Sequence, residues 1–246
     1  MKAAGGRAPA QDEEEPVEKT LANAAERDES AFGSFTDSRD GRVYKTVRIG
    51  DQIWMAENLN YGEMTTDDEL VPGRKWCYDN DEANSEGGYG GLYTWNVAKK
   101  SCPPGWHLPT KEEWEKLFEF VVSNVVDENA VDEEDFDEYI PFGIANALAI
   151  RDFDDAVDDG DGFFSPDDSC RFGAMPAGRR QHFESRADEF YGRGEHAVWW
   201  SASQCEGKPG VRGYILDPAD GLGLARSGCS AEDGWSVRCV KDQSSD

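Results

Sequence analysis

Residues 102–115 read C-P-P-G-W-H-L-P-T-K-E-E-W-E, from Cys102 to Glu115, and this stretch decides the fold. It sets a cysteine, a proline-glycine turn, an aromatic and a helix start within one short segment. Thr110 followed three positions later by Glu113 is a capping box: the hydroxyl takes one orphan amide while the carboxylate reaches back to another. Pro109 marks the stop before it. Beyond the cap, Trp114, Leu117, Phe118, Val121, Val122 and Val125 recur at three- and four-residue steps. Lys111, Glu112, Glu115, Lys116 and Glu119 occupy the remaining faces, which predicts a core helix of about four turns.

Upstream, R-V-Y-K-T-V-R-I-G-D-Q-I-W-M (Arg42 to Met55) is strand-like and is interrupted by Gly50-Asp51, a pair suited to a tight turn with glycine first. The expectation is a hairpin anchored by Val43, Val47 and Trp54. Order is expected to begin near Phe35. Residues 1 to 34 carry Val17, Leu21 and Phe32 as their strong apolar side chains, too few to offset the entropy of ordering, and read as a disordered acidic segment.

From Asn60 to Gly91 the abundance of Gly, Asp, Asn and Tyr predicts long irregular loops, after which Gly91-Leu92-Tyr93-Thr94-Trp95 starts a short ordered piece. A second loop-rich, acidic region runs from Asp127 to Ser169, with Ile140 to Ile150 as an apolar island. Ala197 to Ser203, Val211 to Asp217, Leu222 to Ser227 and Trp235 to Val240 form four short strand-like runs, read as an antiparallel meander. A helix early, strands late and loops between them make an α+β domain.

Composition narrows the partners. Across 246 residues, 25 basic against 51 acidic side chains give a net charge of -26. Such a surface repels phosphate backbones and anionic lipid heads, which argues against nucleic acid and membrane surfaces and leaves cations, basic proteins and neutral polymers. No run approaches the roughly 20 apolar residues of a membrane span, so no transmembrane segment is expected.

Six cysteines, Cys77, Cys102, Cys170, Cys205, Cys229 and Cys239, lack metal-binding spacing. An even number of this kind reads as three disulfides in an oxidising compartment, with buried thiols in a reducing one as the alternative. Residues 1 to 16 contain no apolar signal core, which conflicts with export. The reading adopted is an extracellular or cell-surface protein whose export signal is missing from this version of the chain.

Four blocks together carry a resemblance: F-T-D-S-R-D-G-R-V-Y-K-T-V-R-I-G-D-Q-I-W-M-A-E-N-L-N-Y; W-C-Y-D-N-D-E-A-N with G-L-Y-T-W; C-P-P-G-W-H-L-P-T-K-E-E-W; and R-F-G-A-M-P-A-G with A-V-W-W-S-A-S and W-S-V-R-C-V-K-D. From about Phe35 to Asp242 the chain resembles the Fibrobacter succinogenes major paralogous domain family, leaving residues 243–246 as a polar tail. The resemblance implies a C-type-lectin-like or formylglycine-generating-enzyme-like fold: a packed helix, a C-terminal antiparallel meander and long loops. It also implies an exported surface protein. By similarity to lectin-like domains, Cys102 pairs with Cys239, Cys205 with Cys229 and Cys77 with Cys170.

Candidate chemistry is sparse. His107, His182 and His196 are scattered, with neither an H-E-x-x-H nor a G-x-S-x-G motif, so no catalytic residue is assigned and His107 is expected to hydrogen-bond locally. The acidic run D-F-D-D-A-V-D-D-G-D-G offers calcium a site at Asp158, Asp159 and Asp161, but it fails the EF-hand template. With Gly160 at the glycine position, Val157 falls on a ligand position and Pro166 on the closing glutamate. The E-P-N, Q-P-D and W-N-D tripeptides of calcium-dependent sugar-binding lectins are missing from the sequence. Tyr61, Trp76, Tyr78 and Tyr89 in the loops, with one of the neighbours Trp199 and Trp200 turned outward, are the candidate ligand-binding aromatics. Trp200 takes that place. The expected function is non-catalytic binding of a polysaccharide or surface protein, set against a formylglycine-generating-like oxidoreductase or a structural envelope component.

Overall fold

The computed structural model describes residues 31–125, 142–150, 168–207, 209–217 and 222–243. In chain order these form β1 (Phe32–Thr36), β2 (Val43–Ile49), β3 (Gln52–Met55), β4 (Glu63–Met64), β5 (Arg74–Lys75), 3-10 turns at Tyr78–Asn80 and Glu82–Ser85, α1 (Trp95–Ala98) and β6 (Trp106–His107). Then follow α2 (Lys111–Asn124), α3 (Phe142–Leu148), β7 (Ala177–Gln181), β8 (Glu189–Arg193), β9 (Ala197–Gln204), β10 (Val211–Asp217), β11 (Leu222–Cys229) and β12 (Val240–Lys241). The result is a mixed α/β fold with few helices and small, mostly antiparallel sheets.

The β2–β3 hairpin forms as its sequence predicts, with Gly50 at φ +61 supplying the left-handed turn position. Val47 and Trp54 are buried, but Val43 is 58% exposed, because the strand's alternation turns it outward beside buried Tyr44. Order starts earlier than Phe35: β1 begins at Phe32 and pairs along β2, from Phe32 opposite Val47 to Thr36 opposite Val43.

Helix α2 opens on the capping box. Thr110 Oγ1 accepts from the Glu113 amide, and the Glu113 carboxylate accepts from the Thr110 amide. Trp114, Leu117, Phe118 and Val121 are buried; Val122 is half-buried, and Val125, past the last helical turn, is exposed. The apolar island becomes α3, whose Ile144, Ala145, Ala147 and Leu148 pack into the same core as α2.

The late strands split between two sheets. β9, β10 and β11 make a three-stranded antiparallel meander, whereas the fourth run leaves it: Val240 pairs with Trp54 and His107, inside the sheet ordered β1-β2-β3-β12-β6. The reason lies in what the last strand must join, since Cys239 is bonded to Cys102 just ahead of β6. The hairpin β7–β8 was not legible in the sequence.

The β9–β10 face is covered on both sides. Ala197, Trp199, Tyr214 and Leu216 enter one core with α2 and α3, while Val198, Trp200, Val211 and Ile215 enter a second core with Trp76, Tyr93, Trp95 and Trp235. Alternation along a strand therefore separates two interiors and not an interior from water.

The Cys102–Cys239 bridge spans 137 residues with its Cα atoms 6.0 Å apart. It ties the turn before α2 to the closing strand. Replacing both cysteines by serine is predicted to cost about 2–5 kcal/mol in denaturant unfolding; an unchanged midpoint would contradict the assignment of that bridge as a main tie of the fold.

Candidate functional site

The β1–β2 turn is built around a buried carboxylate. Asp37 accepts from the Arg39 amide at 3.0 Å, from Nε at 2.9 and 3.1 Å, and from Nη2 at 2.6 Å. Burial pushes the Asp37 pKa up, but the Arg39 hydrogen bonds and charge outweigh it, leaving the carboxyl below its ordinary range. Arg39 also donates to the Cys102 carbonyl at 3.3 Å and lies over the Tyr61 ring, 3.6 Å from its centroid. One side chain thereby joins the turn, the disulfide and an aromatic ring.

Opposite this turn, the chain after β3 enters the small parallel ribbon β4–β5. Asn60 is held on three sides: its amide nitrogen Nδ2 donates to the Ser85 carbonyl at 3.0 Å, its backbone N–H to Tyr44 Oη at 3.0 Å, and its Oδ1 accepts from Lys75 Nζ. Tyr93 Oη donates to the Tyr61 carbonyl at 2.8 Å. Burial pushes the Tyr44 phenol up to about 12, so it stays protonated.

Between the turn and the ribbon lies a cleft of about 760 Å³, lined by Arg39, Asp40, Gly41, Arg42, Asn60, Tyr61, Gly62, Glu63, Gly73, Lys75 and Glu82. Its size falls within the range of small-molecule sites. Three cations and three carboxylates share the lining. Arg42 pairs with Glu86 at 3.3 Å at the exposed rim. Lys75 is 1% exposed, and burial lowers its pKa, with Glu82 the nearest carboxylate at 3.8 Å.

The expected aromatics divide three ways. Tyr61 lines the cleft. Tyr78 and Tyr89, both half-buried, meet at Arg193, whose guanidinium carbon lies 5.9 and 4.6 Å from their ring centroids. Trp76 and Trp200 are not available to a ligand, being 1% and 0% exposed. Arg180 covers the Trp76 ring at 3.9 Å, and Trp200 stacks on Trp235 at 4.5 Å while donating to the Tyr93 carbonyl. Trp200 fails as an outward residue because the second core covers its face of the sheet.

The cysteines correct two expectations. The Cys77–Cys170 link is not formed: Cys77 is a buried thiol, pushed up by burial and hydrogen-bonded to Ser85, while Cys170 packs on the α2 core. The Cys205–Cys229 link is not formed either. Val211 of the central strand is the register partner of both Gln204 and Cys229, so β10 stands between the two outer strands. Asp158, Asp159 and Asp161 lie outside the described residues.

Two features of this site escaped the sequence reading. The D-S-R-D-G turn, Asp37 to Gly41, has a carboxylate and a guanidinium two residues apart around a turn glycine, a pattern that could have marked a locked turn. Lys75, directly before Trp76 and Cys77, is buried while the neighbouring Arg74 is exposed, a difference that two adjacent basic residues do not reveal in the sequence.

His107 makes the local contacts expected of it and adds a long-range one. Its Nε2 meets the Glu113 carboxylate at 2.8 Å and its Nδ1 meets Asp242 at 2.6 Å, tying the helix cap to the chain after β12. The Glu113 hydrogen bond, outweighing burial and aided by Asp242, raises the His107 pKa from 6.5 to about 9.

The fold and cleft together define a disulfide-closed α/β domain that presents a loop-lined pocket. The model of the Fibrobacter succinogenes major domain matches residues 47–241, and the chain belongs to that family. No curated relative and no solved structure matches it. No helix among the described residues is long and apolar enough to cross a membrane.

A raised histidine pKa stabilises the folded state fully below the unfolded value near 6.5, and that contribution is lost as the pH climbs through about 9. NMR titration of His107 should therefore show a midpoint near 9 that falls in Glu113→Gln; a midpoint near 6.5 in the parent protein would contradict the bridge.

Proposed function

We propose that this chain is an exported, non-catalytic binding module with a C-type-lectin-like domain, and that it holds a polysaccharide in the cleft between the β1–β2 turn and the β4–β5 ribbon. The lining of the cleft carries this reading. Tyr61 offers a ring, Asn60 and backbone groups offer hydrogen bonds, and fixed charges of both signs surround them. Polar hydroxyl-bearing ligands suit such walls better than apolar ones.

Three further observations support it. A disulfide persists in oxidising compartments, in keeping with a cell-surface or secreted site. Its position, from the turn before the packed helix to the last strand, is the one lectin-like domains imply. An oxidoreductase of the formylglycine-generating type needs a reactive cysteine pair in an open cleft, whereas Cys77 is buried with its thiol pushed up and Cys102 is joined to Cys239.

Pull-down on a panel of insoluble plant and microbial polysaccharides tests the proposal. Retention on at least one polymer is expected, weakened about tenfold or more by Tyr61→Ala, a loss of roughly 1.4 kcal/mol. Failure to bind any polymer, or binding indifferent to Tyr61, overturns it, and specific capture of a protein instead would move the module to the protein-binding class.

A further inference from the structure

A second recess, of about 390 Å³, lies between the β1–β2 pair, the chain leaving β3 and the segment 168–175, and it shares no lining residue with the cleft of Tyr61. Phe32, Ala56, Ile150 and Met175 make its apolar lining, and the first three keep part of their surface exposed. Its volume falls within the range of small-molecule sites.

Four charged side chains border the recess, and three are matched. Lys45, 77% exposed, pairs with Glu57 at 3.3 Å, while the other Glu57 oxygen accepts from the Lys45 amide at 2.9 Å. Asp168 Oδ1 accepts from the Gly173 amide at 2.9 Å. Arg171, also partly exposed, is the fourth. Its guanidinium lies over the Phe32 ring, 4.3 Å from the centroid, and no hydrogen bond or ion pair with the described residues occupies it. A ring contact satisfies none of the five guanidinium N–H donors, whereas a carboxylate answers two of them at once.

The backbone holds this side chain in place at a cost. Arg171 has φ +50 and Asp168 φ +47, left-handed values that favour glycine or asparagine, in a turn closed by the Arg171 amide on the Asp168 carbonyl at 2.7 Å. Directly after it, Arg238 donates to the Phe172 carbonyl and to the Gly173 carbonyl at 3.0 Å, so the turn is anchored from the interior. A Cβ at Gly173 would lie 2.7 Å from the Ala56 carbonyl oxygen, which shows how closely the segment approaches the end of β3. Glycine at position 171 would make the same turn without strain; arginine adds the Phe32 contact and an unmatched charge at the recess.

We propose that this recess binds a small monocarboxylic acid with an apolar body, its carboxylate on the Arg171 guanidinium and its body against Phe32, Ala56 and Ile150. One cation left unmatched by the described residues sets the ligand's charge at one. The net charge of -26 repels polyanions, but that field is screened over about 8–10 Å at physiological salt, so a single carboxylate in contact with Arg171 is attracted. A neutral apolar ligand would desolvate the guanidinium without answering it.

The test is titration of the isotope-labelled whole chain, followed by amide NMR shifts, with millimolar hydrocinnamate, hexanoate and hydrocinnamamide, the neutral amide of the first. Both acids are expected to shift the Gly33, Thr46 and Gly173 amides, and hydrocinnamate binds about tenfold tighter than its amide. Arg171→Gly, a residue the left-handed turn accepts, folds and loses that preference. Arg171→Lys keeps the charge and shows a preference between the two. Tyr61→Ala leaves the preference unchanged, which separates this recess from the cleft. The proposal is overturned if neither acid shifts the recess amides, if hydrocinnamate and its amide bind equally, or if the preference survives Arg171→Gly; loss of stability in Arg171→Gly with no acid preference in the parent would reduce Arg171 to a cover for Phe32.

Discussion

A cation with no exposed surface joins the two cores. Arg238, 0% exposed, donates to Asn58 Oδ1 at 2.6 and 3.1 Å, to the Gly173 carbonyl at 3.0 Å, to the Met55 carbonyl at 3.4 Å, and to the Phe172 carbonyl. Its guanidinium lies 4.5 Å from the Phe172 ring centroid and 5.7 Å from that of Trp199. Desolvation pushes its pKa down to about 9, which still leaves it charged at neutral pH. The planar, five-donor fork of arginine suits a ring of carbonyls better than a lysine would. Asn58 is the other half of this hub: its Oδ1 also accepts from Trp199 Nε1 at 2.9 Å, and its Nδ2 donates to the Tyr89 carbonyl.

The hub sits one residue before Cys239, so a covalent and a polar tie occupy adjacent positions on the closing segment. Through Cys239 that segment holds the turn ahead of α2; through Arg238 it holds the end of β3 and the chain around Phe172 and Gly173. Asn58 and Asn60, two residues apart, then link this interior to the cleft, the first through Arg238 and the second through Lys75. The loops that line the cleft are irregular in backbone, yet their ends are fixed by buried polar contacts. A rigid frame carrying polar loops is the usual arrangement for a binding site, since loops tolerate variation that the frame does not.

How far the sequence could be read follows from the range of the forces involved. The capping box at Thr110 and Glu113, the Trp114 to Val121 stripe and the Gly50 turn are local, and each was legible from residues within a few positions. The last run, Trp235 to Val240, looked like a fourth meander strand because nothing in its own pattern reports that Cys239 and Val240 are claimed by Cys102, Trp54 and His107. Trp200 looked outward-facing because period-two alternation presumes water on one face, while here a second core lies there. Of the site, Tyr61 was anticipated, but the cations were not. Lys75 and Arg39 acquire their meaning from Asn60 and Asp37, and the sequence shows charge without showing burial.

Arg238 is a structural donor to buried carbonyl and amide oxygens drawn from both cores. Guanidinium unfolding of Arg238→Met measures this directly. Loss of the donor leaves buried oxygens unsatisfied at roughly 1–3 kcal/mol each, so the variant should lose at least about 3 kcal/mol. A variant as stable as the parent would contradict the account, since it would mean that apolar packing alone holds the two cores together.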